Sequence, residues 1–378
     1  MIPTIFTRAQ RPSRRARGFT LTEIMVAMVI ALVGVIVIFQ VFAVSEGTKR
    51  TTVSGGDAQQ AGALALFTVE RDLRQAGYGV NLPVDLGCAV YINDSSRTPP
   101  NFQIPFVPVQ IISNPANTPD TIIVFYGNSA LMTHPPKIVA NQVTSNAEVI
   151  SVENRYGFLA GDRLVLADAG PKCMFAQISM LPITPTSDIQ HNPGSYTDIS
   201  TGASVATRYN PSGGIAGVGT FTTSGRVYNL GQSPVRNQYT VTNNQLIVIA
   251  FDNFGTPPAI ADNIVQFKAQ YGKDTNNDGI VDTWDTVTPA IGSPLGPGAD
   301  TAGWKQIIAI RLALVARSTL PEKPSGGPAA PCDTTVNPPT WASGTQTFDL
   351  SASADWQCYR YKVFETTVPL RNQLWSQS

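Results

Sequence analysis

The residues best suited to chemistry in this sequence are acidic and crowded. They form the run Asp274-Thr275-Asn276-Asn277-Asp278-Gly279-Ile280-Val281-Asp282-Thr283-Trp284-Asp285. This spacing fits a twelve-position calcium loop, with side-chain oxygens at one (Asp274), three (Asn276), five (Asp278), nine (Asp282) and twelve (Asp285). Glycine stands at six, where the chain must turn sharply, and Ile280 at seven offers its backbone carbonyl. An aspartate at twelve reaches less far than the usual glutamate. The competing reading is a metal-free hairpin turn at Asn277-Asp278-Gly279. Strand-like flanks argue against an EF-hand proper but allow such a loop to be grafted between strands. We expect one structural calcium ion here.

Four cysteines, Cys88, Cys173, Cys332 and Cys358, are the other reactive set. None form a CxxC pair, and with two histidines in the chain a zinc site is not expected. An even count in an exported protein reads as two disulfides, with three connectivities open. The favoured set is Cys332 with Cys358, which bracket a Pro-rich loop, and then Cys88 with Cys173 by elimination. In a cytosolic domain all four would stay reduced. His134 and His191 both lie beside prolines in loop-like stretches. There is no G-x-S-x-G elbow and no P-loop, and Gly213–Gly219 lacks the strand–helix setting of a nucleotide site. An enzyme is not expected.

The elements that must carry these residues begin with a long apolar segment. Residues 19–44 are almost wholly apolar, and at helical rise they span about 39 Å against a hydrocarbon core of about 30 Å. The first 18 residues hold five of the 26 basic residues (Arg8, Arg11, Arg14, Arg15, Arg17) and none of the 26 acidic ones. The remainder therefore carries 21 against 26, a net of −5. Arginines before the apolar run keep that end in the cytoplasm and send the body outward. Glu23 does not belong in such a run, because a carboxylate in the membrane is costly. It either sits at the interface or seeks a positive partner. No basic face follows residue 18, so nucleic acid is not an expected partner.

Arg17-Gly18-Phe19-Thr20-Leu21-Thr22-Glu23 resembles the leader junction of type IV prepilins and of type II secretion pseudopilins. The resemblance implies that a membrane prepilin peptidase cuts after Gly18 and that the new terminal Phe19 is N-methylated. It also implies that Glu23 pairs with the N-terminal amine of a neighbouring subunit, since a buried amine and carboxylate are tolerable only together. The proline that many major pilins carry about twenty residues into this helix is missing. Val37, Ile38, Phe39 and Gln40 occupy that neighbourhood.

The helix should run on beyond the membrane through residues 45–79, with a bend or interruption at Ser54-Gly55-Gly56. Asp57 is a candidate N-cap for the second piece. Leu66, Val69, Leu73 and Ala76 form its apolar stripe, and Gly77 is its candidate C-cap. Strand-like runs then dominate residues 80–378, at 121–126, 163–167, 245–251, 264–271, 306–316 and 359–368. Residues 180–240 and 318–345 look like long irregular loops or insertions. The expected fold is α+β, with a long N-terminal α-helix, transmembrane in its first half, packed on an antiparallel β-sheet globular domain. The expected segments are a leader at 1–18, a transmembrane helix at 19–44, its continuation at 45–79 and a β-rich domain at 80–378.

Glu70–Gly79 resembles the end of the first helix in PilW-type minor pilins, and Tyr361–Asn372 is similar to the end of those proteins. PilW-like proteins often show a similar acidic loop. The resemblance implies a minor pilin that primes pilus assembly and sits at or near the tip. Its implied partners are other minor pilins, the major pilin, a large PilY-type adhesin, the prepilin peptidase and the inner membrane. Two other readings stand beside it: a pseudopilin of a type II secretion system, and a calcium-dependent adhesive module on a membrane anchor. The terminal motifs and the length favour the minor pilin over the pseudopilin.

Overall fold

The computed structural model describes residues 18–374, except 81, 132–133, 140–141, 144–148, 169–172, 216–217, 254, 293–298 and 328. The basic leader lies outside the described residues up to Gly18, and so does part of the glycine-rich stretch at 213–219. The chain divides into two compact units, Met1–Val53 and Ser54–Ser378.

Helix α1, Leu21–Gln75, contributes to both units. It starts on a capping box. The Thr20 N–H donates to Glu23 Oε2 (2.9 Å) while the Glu23 N–H donates to Thr20 Oγ1 (3.3 Å). Two otherwise orphaned amides are thereby satisfied at the helix start. In the first unit the helix is long and apolar enough to cross a membrane, and its side chains face outward, Phe39 at 70% exposure. The helix is continuous through Ser54-Gly55-Gly56, so the interruption considered there does not occur. Two mid-helix glycines cost only about 1 kcal/mol each against alanine, and the flanking packing outweighs that.

In the second unit the buried helix stripe is Ser54, Ala58, Gly62, Ala65, Val69, Asp72 and Leu73. Val69, Leu73 and Ala76 are buried as the spacing predicts, whereas Leu66 sits only partly buried at the edge of the stripe. Small residues let the sheets approach closely. A Cβ on Gly62 would stand 2.1 Å from the Phe364 ring. The helix ends where Gly77 turns left-handed at φ +80. There Asn372 Nδ2 donates to the carbonyls of Gln75 (3.2 Å) and Ala76 (3.0 Å). The far C-terminal motif thus caps the end of the first helix.

Three larger sheets make up most of the rest of the core. In the first, β1 (Ala89–Asn93), β2 (Asn101–Pro105), β5 (Arg163–Ala167), β6 (Cys173–Gln177) and β7 (Arg226–Gly231) are ordered β7-β5-β6-β1-β2. The β1–β6 pairing is parallel, with Val90 opposite Cys173. The second sheet holds β3 (Val109–Ile112), β4 (Thr121–Tyr126), β8 (Val235–Thr242), β9 (Gln245–Ala250) and β10 (Ala259–Asp262), ordered β10-β9-β8-β4-β3. The third sheet is antiparallel and contains β11 (Ile264–Lys273), β12 (Thr283–Asp285), β13 (Ile307–Arg317) and β14 (Tyr361–Pro369), ordered β12-β11-β13-β14.

The fold is α+β with one long helix, as the segment pattern predicts. The stretch 180–240 is more regular than expected, since Arg226–Gly231 and Val235–Thr242 are full sheet members. Glycine, asparagine and proline between them hide their alternation. Both disulfides form with the favoured connectivity, Cys88–Cys173 and Cys332–Cys358. The first ties the entry of β1 to the start of its parallel neighbour β6. The second closes part of the loop ahead of β14.

Candidate assembly site and acidic loop

Gly18 and Phe19 precede the helix and are exposed, Phe19 at 82%. Glu23 lies one turn into the helix, on the face that also carries Phe19, Ala27 and Met28. Its Oε2 accepts from both the N–H and the hydroxyl of Thr20, each at 2.9 Å. The carboxylate is therefore oriented toward the helix start. The T-x-x-E pattern that predicts this cap was legible in Thr20-Leu21-Thr22-Glu23, beside the implied assembly role.

The acidic loop connects β11 to β12 and is wound tightly on its first aspartate. Buried Asp274 accepts backbone N–H bonds from Asn277 (2.6 Å), Asp278 (3.2 Å) and Gly279 (2.7 Å). Asn277 (φ 62) and Gly279 (φ 83) both take the left-handed conformation, which the glycine accepts without strain. Asp282 Oδ2 accepts from the N–H (2.8 Å) and hydroxyl (2.7 Å) of Thr275. The hydroxyl first, then the amide, hold the Asp282 carboxyl below its ordinary range. The Asn276 side-chain amide approaches Asp278 (3.2 Å) and Asp282 (3.5 Å), so positions three, five and nine converge. Ile280 donates its N–H to Asp278.

Position twelve behaves differently. Asp285 is ion-paired with Lys273 Nζ at 2.8 Å and accepts from the Val287 N–H. Among the described residues no three Asp, Glu, His or Cys side chains are grouped closely enough to hold a metal. The donor set fits calcium in part. Three side chains converge, and Asp274 keeps one lone-pair direction beyond its three amides, but Asp285 is engaged elsewhere.

A polar site absent from the sequence reading lies between α1 and the second sheet. Asp72, 1% exposed, accepts from Tyr239 Oη (2.5 Å), Asn237 Nδ2 (2.7 Å) and Tyr126 Oη (3.4 Å). Burial first, then the Asp72 charge, push the Tyr126 hydroxyl up to about 12.

A second buried group gives a pH dependence. Burial pushes the His191 imidazole down to about 4 from its ordinary 6.5. The ring is neutral in the fold and free to protonate when unfolded. Its contribution to stability is therefore complete above pH 6.5 and is lost as the pH falls to 4, by about 3 kcal/mol in total. Urea unfolding at pH 7 and pH 4.5 should show a smaller acid loss for His191→Gln than for the native chain. Equal losses in both would refute this role.

Set against known families, residues 13–39 match the prokaryotic N-terminal methylation motif. Residues 233–372 match the family described as type IV pilus-assembly protein W. The chain thus carries a type IV pilin methylation motif at its N-terminal end and a PilW-type region toward its C-terminal end. The matched PilW region runs from just before β8 to Asn372, and so includes the third sheet and the Asn372 cap on α1. The methylation match covers Gly18, Phe19 and Glu23. No curated protein matches the chain. Among solved structures it is similar to a type IV-like pilin from Thermus thermophilus. That likeness has 10% identity, 82% coverage of this chain, 94% of the other and a TM-score of 0.29, too slight to add to the assignment.

Proposed function

We propose that this PilW-type pilin is a minor pilin that primes type IV pilus assembly and is incorporated at or near the pilus tip. The observation that carries the reading is the pairing of the methylation motif over Gly18–Glu23 with a PilW region that closes onto the same helix. On this reading the prepilin peptidase removes the leader after Gly18 and the apolar helix holds the subunit in the inner membrane. The β-rich body then faces the periplasm. Glu23 draws the subunit into register with a neighbour's N-terminal amine, and a PilY-type adhesin and other minor pilins complete the tip complex. The role is structural and non-enzymatic. A strain lacking this chain should lose most surface pili while type II secretion continues. Normal pili with blocked secretion would assign the chain to the pseudopilins instead.

We also propose calcium as a structural ligand of the acidic loop, supported by the convergence of Asn276, Asp278 and Asp282. Asp274, the Ile280 carbonyl and Asp285 would complete the set, with Asp285 exchanging Lys273 for the ion. The ion would supply charge neutralisation that the loop's crowded carboxylates otherwise lack. At one hundred times Kd, ligand binding adds about 2.7 kcal/mol of stability. Calcium should therefore raise the melting temperature of the native chain by several degrees, and Asp278→Ala should abolish that rise while lowering the calcium-free value only slightly, through its exposed bonds to Ile280 and Asn276. A calcium response that survives in the variant removes the metal from the account.

A further inference from the structure

A cleft of about 100 Å³, several times the space that one water needs, opens beside the third sheet. Val265 of β11, Arg317 of β13 and Tyr361 of β14 line it, together with Asn117, Asn244 and Asp349 from three separate connections. One buried glutamine fixes two of those connections. Gln266 Nε2 donates to the carbonyls of Ala116 (3.2 Å) and Asp349 (3.0 Å), while its Oε1 accepts from the Phe267 N–H (3.3 Å). Asn117 and Asp349 are thereby held in the same cleft as Arg317.

Arg317 is the group that lacks an acceptor. Its Nε is buried with none, and its Cζ lies 4.2 Å from the centroid of the Tyr359 ring. Among the described residues its side chain enters no ion pair and no hydrogen bond. A guanidinium only donates, so an occupant of the cleft must offer it an oxygen. Asp349 makes the opposite demand. It accepts the Ser351 N–H (2.9 Å), and the Ser351 hydroxyl first, then that amide, hold its carboxyl below the ordinary range. It is therefore an ionised acceptor with room for a further donor. Asp355 also feels the Arg317 charge, from beyond ion-pair reach, and is engaged by the Ser353 hydroxyl. One positive charge beside two negative ones leaves no excess to attract an anion, and the arginine opposes a cation. Asn117 and Asn244 add amides that both donate and accept, and Val265 and Tyr361 add apolar surface. The occupant that meets all these demands is uncharged, carries neighbouring donors and acceptors, and has apolar faces.

We propose that this cleft binds one uncharged sugar residue, with Arg317 donating to one of its hydroxyls and Asp349 accepting from another. The inference stands whether or not the chain enters a pilus. The full-length chain, in a polyoxyethylene detergent that has no sugar headgroup, would be titrated with glucose, galactose, mannose, N-acetylglucosamine and glucuronate. Saturation-transfer NMR and melting would follow the binding. At least one of the four neutral sugars should bind saturably, and glucuronate should bind more weakly than every sugar that does. Preference for N-acetylglucosamine points to an amino-sugar polymer such as cell-wall glycan as the source, and preference for a hexose to an exported polysaccharide. Arg317→Met keeps an apolar stem against Tyr359 and should weaken binding at least tenfold. Asn117→Ala, at an exposed loop residue, should weaken it several-fold at an unchanged melting temperature. No saturable binding by any neutral sugar, glucuronate binding tightest, or native affinity in either variant overturns the proposal.

Discussion

Replacing Asp72 by leucine should cost the second unit about 4 kcal/mol of stability. The carboxylate is 1% exposed and is the shared acceptor for Tyr239, Asn237 and Tyr126. Leucine fills the space but leaves three donors without an acceptor, two of them buried. Stranded polar groups cost about 1–3 kcal/mol each, less whatever relaxation recovers. Tyr239→Phe removes one donor and leaves the acceptor its other partners, so it should cost about 1 kcal/mol. Asp72→Asn retains one acceptor oxygen and should fall between. Urea unfolding of the three variants checks the order. An Asp72→Leu chain as stable as the native one would show that the carboxylate does not hold the helix to the sheet.

The second large effect is expected at Glu23, where two roles share one side chain. The carboxylate completes the capping box with Thr20, and on the proposed reading it also supplies the charge that meets a neighbour's amine. Glu23→Gln separates them. Glutamine serves the capping box as well as glutamate does, but it carries no charge. A carboxylate within the apolar span costs about 2.5–3.5 kcal/mol to insert, so an uncharged residue should make membrane insertion easier. Leader cleavage should therefore be intact in Glu23→Gln, and incorporation into filaments should fall more than tenfold. Glu23→Ala should fail equally in assembly and also fray the first turn. If Glu23→Gln assembles normally, the side chain acts through the cap alone.

Much of this was legible in the residues. Thr121–Tyr126 and Arg163–Ala167 are strands to the residue because β-branched and aromatic side chains run between clear turn-formers. The cysteine pairing followed from an even count and one short ring. Other features were hidden for physical reasons. Asp72 reads as a solvent-facing charge in Glu70-Arg71-Asp72, and only the tyrosines of β4 and β8, far off in sequence, make it a core residue. Ala58, Gly62 and Ala65 lack the bulk that marks an apolar stripe, yet Phe364 needs that lack of bulk. Ser54-Gly55-Gly56 looked like a break, because local propensity cannot register the tertiary packing that carries the helix across it. In the acidic loop, spacing nominated Asp285 as a ligand. Its pairing with Lys273 arises from the register of β11 against β12, which spacing does not encode.

The central claim is that this chain is cut after Gly18, methylated on Phe19 and carried into the filament. Intact-mass analysis of the protein recovered from sheared surface filaments tests it most directly. The account predicts a species lacking its first 18 residues and bearing one added methyl group. A filament fraction without the chain, or one holding the unprocessed 378-residue form, would contradict it.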